Sequence, residues 1–289
     1  MPTTIPTTTS STRPGSPSTG DAYFETDTNN YIIYDGANWR GYVSDGITVP
    51  GVTNGFSSNF DGTDDAITCG NLASITEDGA FTTSIWFQFA GSPGSTTHMT
   101  MSGGSGGSNR FYVQLQSTTN IRYGNDSAFD DITIPTVSSS SWYHLATVQS
   151  GTTLTVYTNG VSRGTATVNP INSDWGNNFR IGSIFNNTGF RFNGLLDEPA
   201  IWNTALDAAN INQIYNAGVP INLASNAGGY TQSSALKNWW RLGDHASDTD
   251  SGGGSPTAGD GIGNVENAAD PGTNDGTGEN GTTYSSTTP

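Results

Sequence analysis

The dipeptide Asn159-Gly160 stands between the runs LTVYT and VSRGT. A two-residue Asn-Gly link between β-type runs specifies a tight hairpin, because both positions must take positive φ. Around it the chain repeats one pattern from residue 55 to 218. The runs AITCG, FTTSIWFQF, RFYVQLQS, NIRYGN, YHLATVQ, LTVYT and FRIGSIF recur, with turn residues between them. In YHLATVQ, Tyr143, Leu145 and Thr147 fall on one face, as a half-buried strand requires. Many short strands at regular spacing predict an all-β fold, an antiparallel two-sheet sandwich. One helix interrupts the pattern. Asp207 caps its start, Leu206 reaches Ile211 across the first turn, Ile211, Ile214 and Tyr215 share a face, and Gly218 suits its end. A single apolar stripe places this helix across the sandwich.

Composition narrows the function. Of 289 residues only 33% are hydrophobic and 38 are glycine, which suits one compact β core with long polar loops. The 9 basic against 25 acidic residues give a net charge of −16, with Lys237 the single lysine. Scattered bases of this kind do not neutralise phosphates, so nucleic acid is not an expected partner. Cys69 is the single cysteine, so no intrachain disulfide forms. No stretch reaches the roughly 18 apolar residues of a membrane span, so no membrane insertion is expected. The start, MPTTIPTTTSSTRPGSPSTG, has neither the basic nor the apolar region of a conventional signal peptide.

Four regions follow from these shifts. Residues 1–20 form a low-complexity arm of Thr, Ser and Pro that buries too little to fold alone. In residues 21–45, two aromatic and β-branched runs around Asn29-Asn30 read as a small hairpin, which must dock or stack to be stable. Residues 46–235 hold the sandwich. Residues 236–289 begin with LKNWW and then fall into Gly, Asp, Asn, Ser and Thr, a composition that reads as disordered from 245 onward.

The order Phe60-Asp61-Gly62-Thr63-Asp64-Asp65, FTTSIWFQF, Trp142-Tyr143-His144-Leu145-Ala146, Val156-Tyr157-Thr158-Asn159-Gly160, Ile181-Gly182 and Phe192-Asn193-Gly194-Leu195-Leu196-Asp197-Glu198 resembles the concanavalin A-like, laminin-G-type jelly-roll domains over roughly 160 residues. The resemblance implies a jelly roll, often with calcium, often glycan-binding, and usually attached to something larger. Pro199 departs from it, since a β-branched residue is usual there. Trp239-Trp240-Arg241-Leu242-Gly243-Asp244 and Asn274-Asp275-Gly276-Thr277 look like the motif that commonly opens such domains. Here they either complete the sandwich from the far end or begin a truncated second copy. The N-terminal stretch, with Arg13-Pro14, Gly20-Asp21, Tyr23-Phe24, Thr26-Asp27-Thr28, Tyr34-Asp35-Gly36 and Trp39, resembles a short module of tailed-phage fibre and virion proteins. That resemblance implies a head-decoration or tail-fibre protein on the virion surface, made in the host cytoplasm. Its implied partners are other virion proteins, copies of itself and host-surface glycans. An extracellular carbohydrate-binding module of a secreted bacterial protein is the alternative.

The stretch NGLLDEPAIW (193–202) raises the question of catalysis. Glycosidases need two carboxyls about 5–9.5 Å apart flanking one bond. Consecutive strand residues point to opposite faces, so Asp197 and Glu198 do not share a sugar, and no enzyme is expected. Parity puts Asp197 with Leu195 and Ile201, facing inward, and leaves Glu198 solvated. Pro199 marks an edge or a bulge. A buried carboxylate needs donors or a cation, and calcium takes six to eight oxygens from Asp- and Asn-rich loops. Asp61 or Asp64, in a motif that the related domains place near this strand, is expected to complete a calcium site with Asp197; the alternative is that Asp197 accepts backbone N–H bonds and no metal binds. For a glycan, Tyr123, Trp175, Asn177, Asn178, Asn186 and Asn187 offer aromatic platforms and amides at expected loops or strand ends. Gly103-Gly104-Ser105-Gly106-Gly107 matches a nucleophile elbow in letters, but reads as a flexible loop between strands. Asp248-Thr249-Asp250-Ser251-Gly252 begins like a calcium loop, but Gly259 stands where its twelfth-position Glu belongs. His98, His144 and His245 lack metal-pair spacing, and His144 is assigned to packing or a hydrogen bond.

Overall fold

The computed structural model describes residues 7–8, 12–25, 30–34, 36, 39–43 and 52–289, except 95–96, 107–108, 127, 140 and 187–188. The N-terminal part makes its own four-stranded sheet in the order β1 (Thr7–Thr8), β2 (Ala22–Glu25), β3 (Asn30–Tyr34), β4 (Trp39–Val43). The hairpin expected in this region is β2–β3, with Glu25 opposite Asn30. The Thr-rich arm adds β1 parallel to β2, so part of it is tied down.

The rest is a sandwich of two sheets. One, the helix-side sheet, runs β14 (Val161–Thr167), β13 (Thr153–Thr158), β12 (Tyr143–Ser150), β7 (Ala80–Phe89), β16 (Asn193–Trp202), β5 (Ser57–Asp61), β20 (Thr283–Ser285), with β17 (Leu236–Trp239) also on β16. The other, the open sheet, runs β11 (Ala128–Thr133), β10 (Asn120–Asn125), β9 (Asn109–Ser117), β8 (Met99–Gly106), β15 (Phe179–Ile181), β6 (Ala66–Gly70), β19 (Gly276–Glu279), β18 (Asn264–Val265). The Asn-Gly signal is realised in full: Thr158 pairs with Val161, and Asn159 and Gly160 sit at φ 50° and 74°.

Alternating residues of both sheets meet in one core that includes Phe60, Phe87, Phe111, Val156 and Leu196. The C-terminal region is part of this core rather than a loose tail. Trp240, Leu242, Ile262, Val265 and Tyr284 are all buried in it, and Trp240 stacks on Phe179 with centroids 5.8 Å apart. Composition misled here because a few widely spaced apolar residues were enough. The carboxylate of Asp248 accepts backbone N–H bonds from Gly243, His245 and Glu266, and that of Asp250 from Gly252 and Gly254, which fixes the polar loops between them.

On the outer face of the helix-side sheet lies a second cluster of Trp202, Leu206, Ile211, Ile214, Tyr230 and Trp239. Helix α1 (Ala208–Tyr215) covers it, and Asp207 caps the helix by accepting from Asn210 N at 2.8 Å, as the sequence indicates. The α-helix stops at Tyr215, because Asn216 already takes the left-handed conformation at φ 42°, and a short 3-10 turn carries the chain on to Gly218. Among the described residues, the outer face of the open sheet carries a smaller apolar cap of Met99, Tyr112, Ile184 and Phe185.

Candidate functional site

Two groups of carboxylates lie along β16. The first is the Asp197-Glu198 pair. Across β16 and β7, Leu196 faces Phe87, Asp197 faces Trp86 and Ala200 faces Ser84. Three steps on β16 therefore match two on β7, which is a β-bulge holding Glu198 and Pro199. Glu198 absorbs it at φ 50°, a backbone conformation uncommon for a non-glycine residue. The bulge lies in a central strand, where the partner of β16 changes from β5 (Leu196 opposite Ser58) to β17 (Ala200 opposite Trp239). Pro199, which has no N–H to lose, still accepts from Trp240 N at 3.0 Å.

The extra residue breaks the parity argument. Asp197 keeps the face of Trp86, whose ring stacks on Tyr215 of the helix at 5.8 Å, while Ile201 returns to the inter-sheet core. Asp197 is buried under the helix-side layer instead of between the sheets. Glu198 is not solvated: it is 3% exposed and lines a small cavity with Ser84, Trp86 and Ile214. Both acids have partners. Asn54 Nδ2 donates to Asp197 Oδ2 at 2.9 Å, and Glu198 N donates to Asp197 Oδ1 at 2.9 Å. Trp239 Nε1 donates to Glu198 Oε2, and Arg241 Nε lies 3.3 Å from Glu198 Oε1. Arg241 continues to Thr53 O at 2.6 Å and Asp244 O at 3.0 Å, while Asp244 accepts from the backbone of Gly55 and Phe56. Burial raises the pKa of both acids, and for Asp197 the adjacent Glu198 charge adds to it; Arg241 and the Trp239 N–H pull Glu198 back. The arrangement is a clasp joining the segment before β5, the bulge and the segment after β17.

The second group is the turn between β5 and β6. Carboxylate oxygens of Asp61, Asp64 and Asp65 all lie within 4.8 Å of one another. Asp197 is not with them. Asp61 pairs with Asn193, four residues earlier on β16, a separation of roughly 13 Å along a strand. The expected set of Asp61, Asp64 and Asp197 is therefore replaced by Asp61, Asp64 and Asp65. Asp65 belongs to the same sequence motif and directly precedes β6. It is 2% exposed; Oδ2 accepts from Asp61 N at 2.8 Å and Oδ1 has no hydrogen-bond partner among the described residues. Burial, with the nearby Asp61 and Asp64 charges, pushes its carboxyl up to about 6 against the lowering effect of the Asp61 N–H. An all-oxygen donor set with one buried, unpartnered carboxylate oxygen fits calcium, the metal that this fold type implies.

The residues expected to hold a glycan divide. Tyr123 and Trp175 are not platforms: both are 0% exposed in the core, Tyr123 donating to Gln149 Oε1 at 2.6 Å and Trp175 Nε1 to Asp126 Oδ1 at 3.0 Å. Asn177 and Asn178 do share an end of the sandwich. There Asp174 accepts from Ser105, Asn109 and Asn177 at 3.0–3.2 Å, Asn178 N donates to Asn71, and a cleft of about 520 Å³ opens beside Thr76 and Glu77. Asn186 lies exposed on a separate loop, and Asn187 lies outside the described residues. Ser105 belongs to β8, not to a flexible loop, and a strand follows it where an elbow needs a helix. His144 packs as expected: Ser84 Oγ lies 2.7 Å from Nε2, and burial pushes the ring down to about 3.

Two packed antiparallel sheets with one short helix define a lectin-type jelly roll. Residues 61–212, 152 of the 289, match the family described as the Concanavalin A-like lectin/glucanases superfamily, and the chain belongs to it. A search of curated protein sequences returns no match. Among solved structures, a candidate carbohydrate-binding protein from Bacteroides ovatus aligns with a TM-score of 0.54 at 17% identity, covering 93% of this chain and 70% of that one. The heptameric SAP-like pentraxin of Limulus polyphemus aligns at 0.45 and 19% identity, over 56% of this chain and 82% of that one. Domain 4 of an extracellular arabinanase from Geobacillus stearothermophilus, in complex with arabinotriose, aligns at 0.42 and 19%, over 55% and 87%. Among the described residues, no helix is long and apolar enough to cross a membrane.

Proposed function

We propose that this chain is a non-catalytic surface protein of a phage virion, a head-decoration or tail-fibre component, that displays its jelly roll as a glycan-binding, lectin-like module. The observation that carries the binding role is the asymmetry of the sandwich. A helix and a second apolar cluster cover one outer face, whereas the other outer face leaves Phe129 53% exposed beside the Arg122–Asp131 pair. The acids that raise a catalytic reading support the non-catalytic one, since both are buried and committed to Asn54, Trp239 and Arg241. The phage-type motif in residues 13–39, part of which folds as a sheet of its own, supports attachment through the N-terminal region to other virion proteins or to copies of this chain. Calcium at Asp61, Asp64 and Asp65 serves structure in this reading.

A glycan array run with calcium and with chelator tests the binding role: specific signal supports it and silence across neutral and acidic glycans removes it. Mass measurement of the purified protein tests assembly, and a stable isolated monomer counts against it. The reading as a carbohydrate-binding module of a secreted bacterial protein is favoured by the Bacteroides ovatus likeness, which spans 93% of the chain. Antibody labelling of purified virions separates the two, because only a virion component decorates the particle.

A further inference from the structure

The open sheet ends in strands β9, β10 and β11, and their register lines up one outer row as Tyr112, Gly124 and Phe129, and the next as Gln114, Arg122 and Asp131. Each row has a physical reason for its order. A side chain at position 124 is excluded, because a Cβ there would lie 2.0 Å from Tyr112 Cζ; the tyrosine ring occupies that space and lies on the backbone. Phe129 is 53% exposed, an unusual state for a phenylalanine. It is nevertheless held, since the Arg122 guanidinium carbon sits 3.8 Å from its ring centroid. Arg122 is fixed in turn by a two-point contact with Asp131, Nε to Oδ1 at 2.7 Å and Nη2 to Oδ2 at 2.8 Å. Further along the face of β9, the amide oxygens of Gln114 and Gln116 are buried and accept no hydrogen bond among the described residues.

Resting on the glycan-binding reading above, we propose that this face, centred on Phe129 and the Arg122–Asp131 pair, is the binding site, and that its ligand is a neutral glycan containing pyranose rings. An immobilised aromatic ring offers its face to the C–H side of a sugar at low entropic cost. The fork of Arg122 and Asp131 presents donors and acceptors side by side, which suits vicinal hydroxyls. Charge decides against acidic sugars. Arg122 is already neutralised by Asp131, and the face and its edge carry Arg110 and Arg122 against Asp126, Asp130 and Asp131 on a chain of net charge −16. The position on the edge strand β11 leaves room for a polymer to run past the site.

The test is affinity electrophoresis and calorimetry of the full chain with the pyranose polymers laminarin, mannan and xylan, with polygalacturonate and colominic acid as acidic probes. Wild type is expected to bind at least one neutral polymer, with little dependence on salt. Phe129→Ala and Phe129→Leu are expected to weaken that binding about tenfold or more, as loss of a central aromatic anchor does, whereas Phe129→Tyr retains it. Val219→Ala, an exposed residue just past helix α1 on the opposite face, is expected to leave affinity unchanged. If wild type binds but the Phe129→Ala and Phe129→Leu proteins bind as well, the site is elsewhere and this proposal is overturned while the binding role stands. Binding confined to the acidic polymers overturns the neutral class. No binding to any polymer overturns the site and counts against the role itself.

Discussion

The clasp and the Asp61–Asp65 turn set the same problem, crowded carboxylates, and solve it in opposite ways. At the clasp, Asp197 and Glu198 are buried and every oxygen contact comes from the protein: an amide, a backbone N–H, an indole and a guanidinium. At the turn, Asp61 and Asp64 are exposed, Asp65 is buried, and one Asp65 oxygen has no partner among the described residues. The first group is complete within the chain, whereas the second is left with capacity for an outside cation. Acid content alone therefore says little about metal binding; what separates the two is whether the chain supplies the donors.

The largest effect is expected from removing the clasp's cation. Arg241 and Glu198 side chains are 11% and 3% exposed, so Arg241→Ala leaves a buried carboxylate short of its counter-charge and is expected to cost about 3–5 kcal/mol in urea denaturation. A loss under about 1 kcal/mol would show that the clasp is not closed within the chain. Next is the turn. Calcium at about a hundredfold over its Kd is expected to add about 2.7 kcal/mol to wild-type stability and nothing to Asp65→Asn, read as the shift in thermal midpoint. An equal shift in the variant would erase the contrast.

The calcium effect also has a direction with pH. Because burial raises the folded-state pKa of Asp65 from 3.8 to about 6, its contribution to stability is fully present below about pH 3.8 and is lost as pH rises through about 6. Calcium offsets that loss and is expected to act at pH 7.5 and not at pH 3.5, because the ligand must be deprotonated. Smaller again, Asn54→Ala removes the side-chain donor to Asp197 and is expected to cost about 1–3 kcal/mol at neutral pH, with or without calcium. Smallest is Asp64→Asn. In chelator it is expected to change stability by less than about 0.5 kcal/mol, since Asp64 is exposed, yet to reduce the calcium increment.

The sandwich was legible because its signals are local. The Asn159-Gly160 turn, the alternating faces of YHLATVQ and the Asp207 cap each depend on neighbours a few residues away. The clasp was not, because one extra residue at Glu198 reverses strand parity and the letters NGLLDEPAIW do not count bulge residues; Pro199 was the single hint. Tyr123 and Trp175 misled for a related reason. Aromatics near strand ends look available in one dimension, but here they close the end of the core. Asp65 was hidden by its place beside strand β6, whose first residue, Ala66, pairs with Glu279, more than two hundred positions away in sequence. Phe129 had no sequence signal, since its exposure depends on how far the cap over the open sheet extends.

The C-terminal strands carry a consequence for how the chain comes to be folded. Strand β20 lines the edge of the first core strand, β5, and Ser57 Oγ donates to Thr287 O across 230 positions of sequence. Tyr284, at 1% exposure, fills the core beside Phe56. Contacts of such long range make for slow folding, because loop closure precedes the reward. One edge of β5 and one edge of β6 are paired only by strands from the far end of the chain, β20 and β19. A chain that ended before β17 would leave β5 without β20, β6 without β19, and the core without Trp240, Ile262, Val265 and Tyr284.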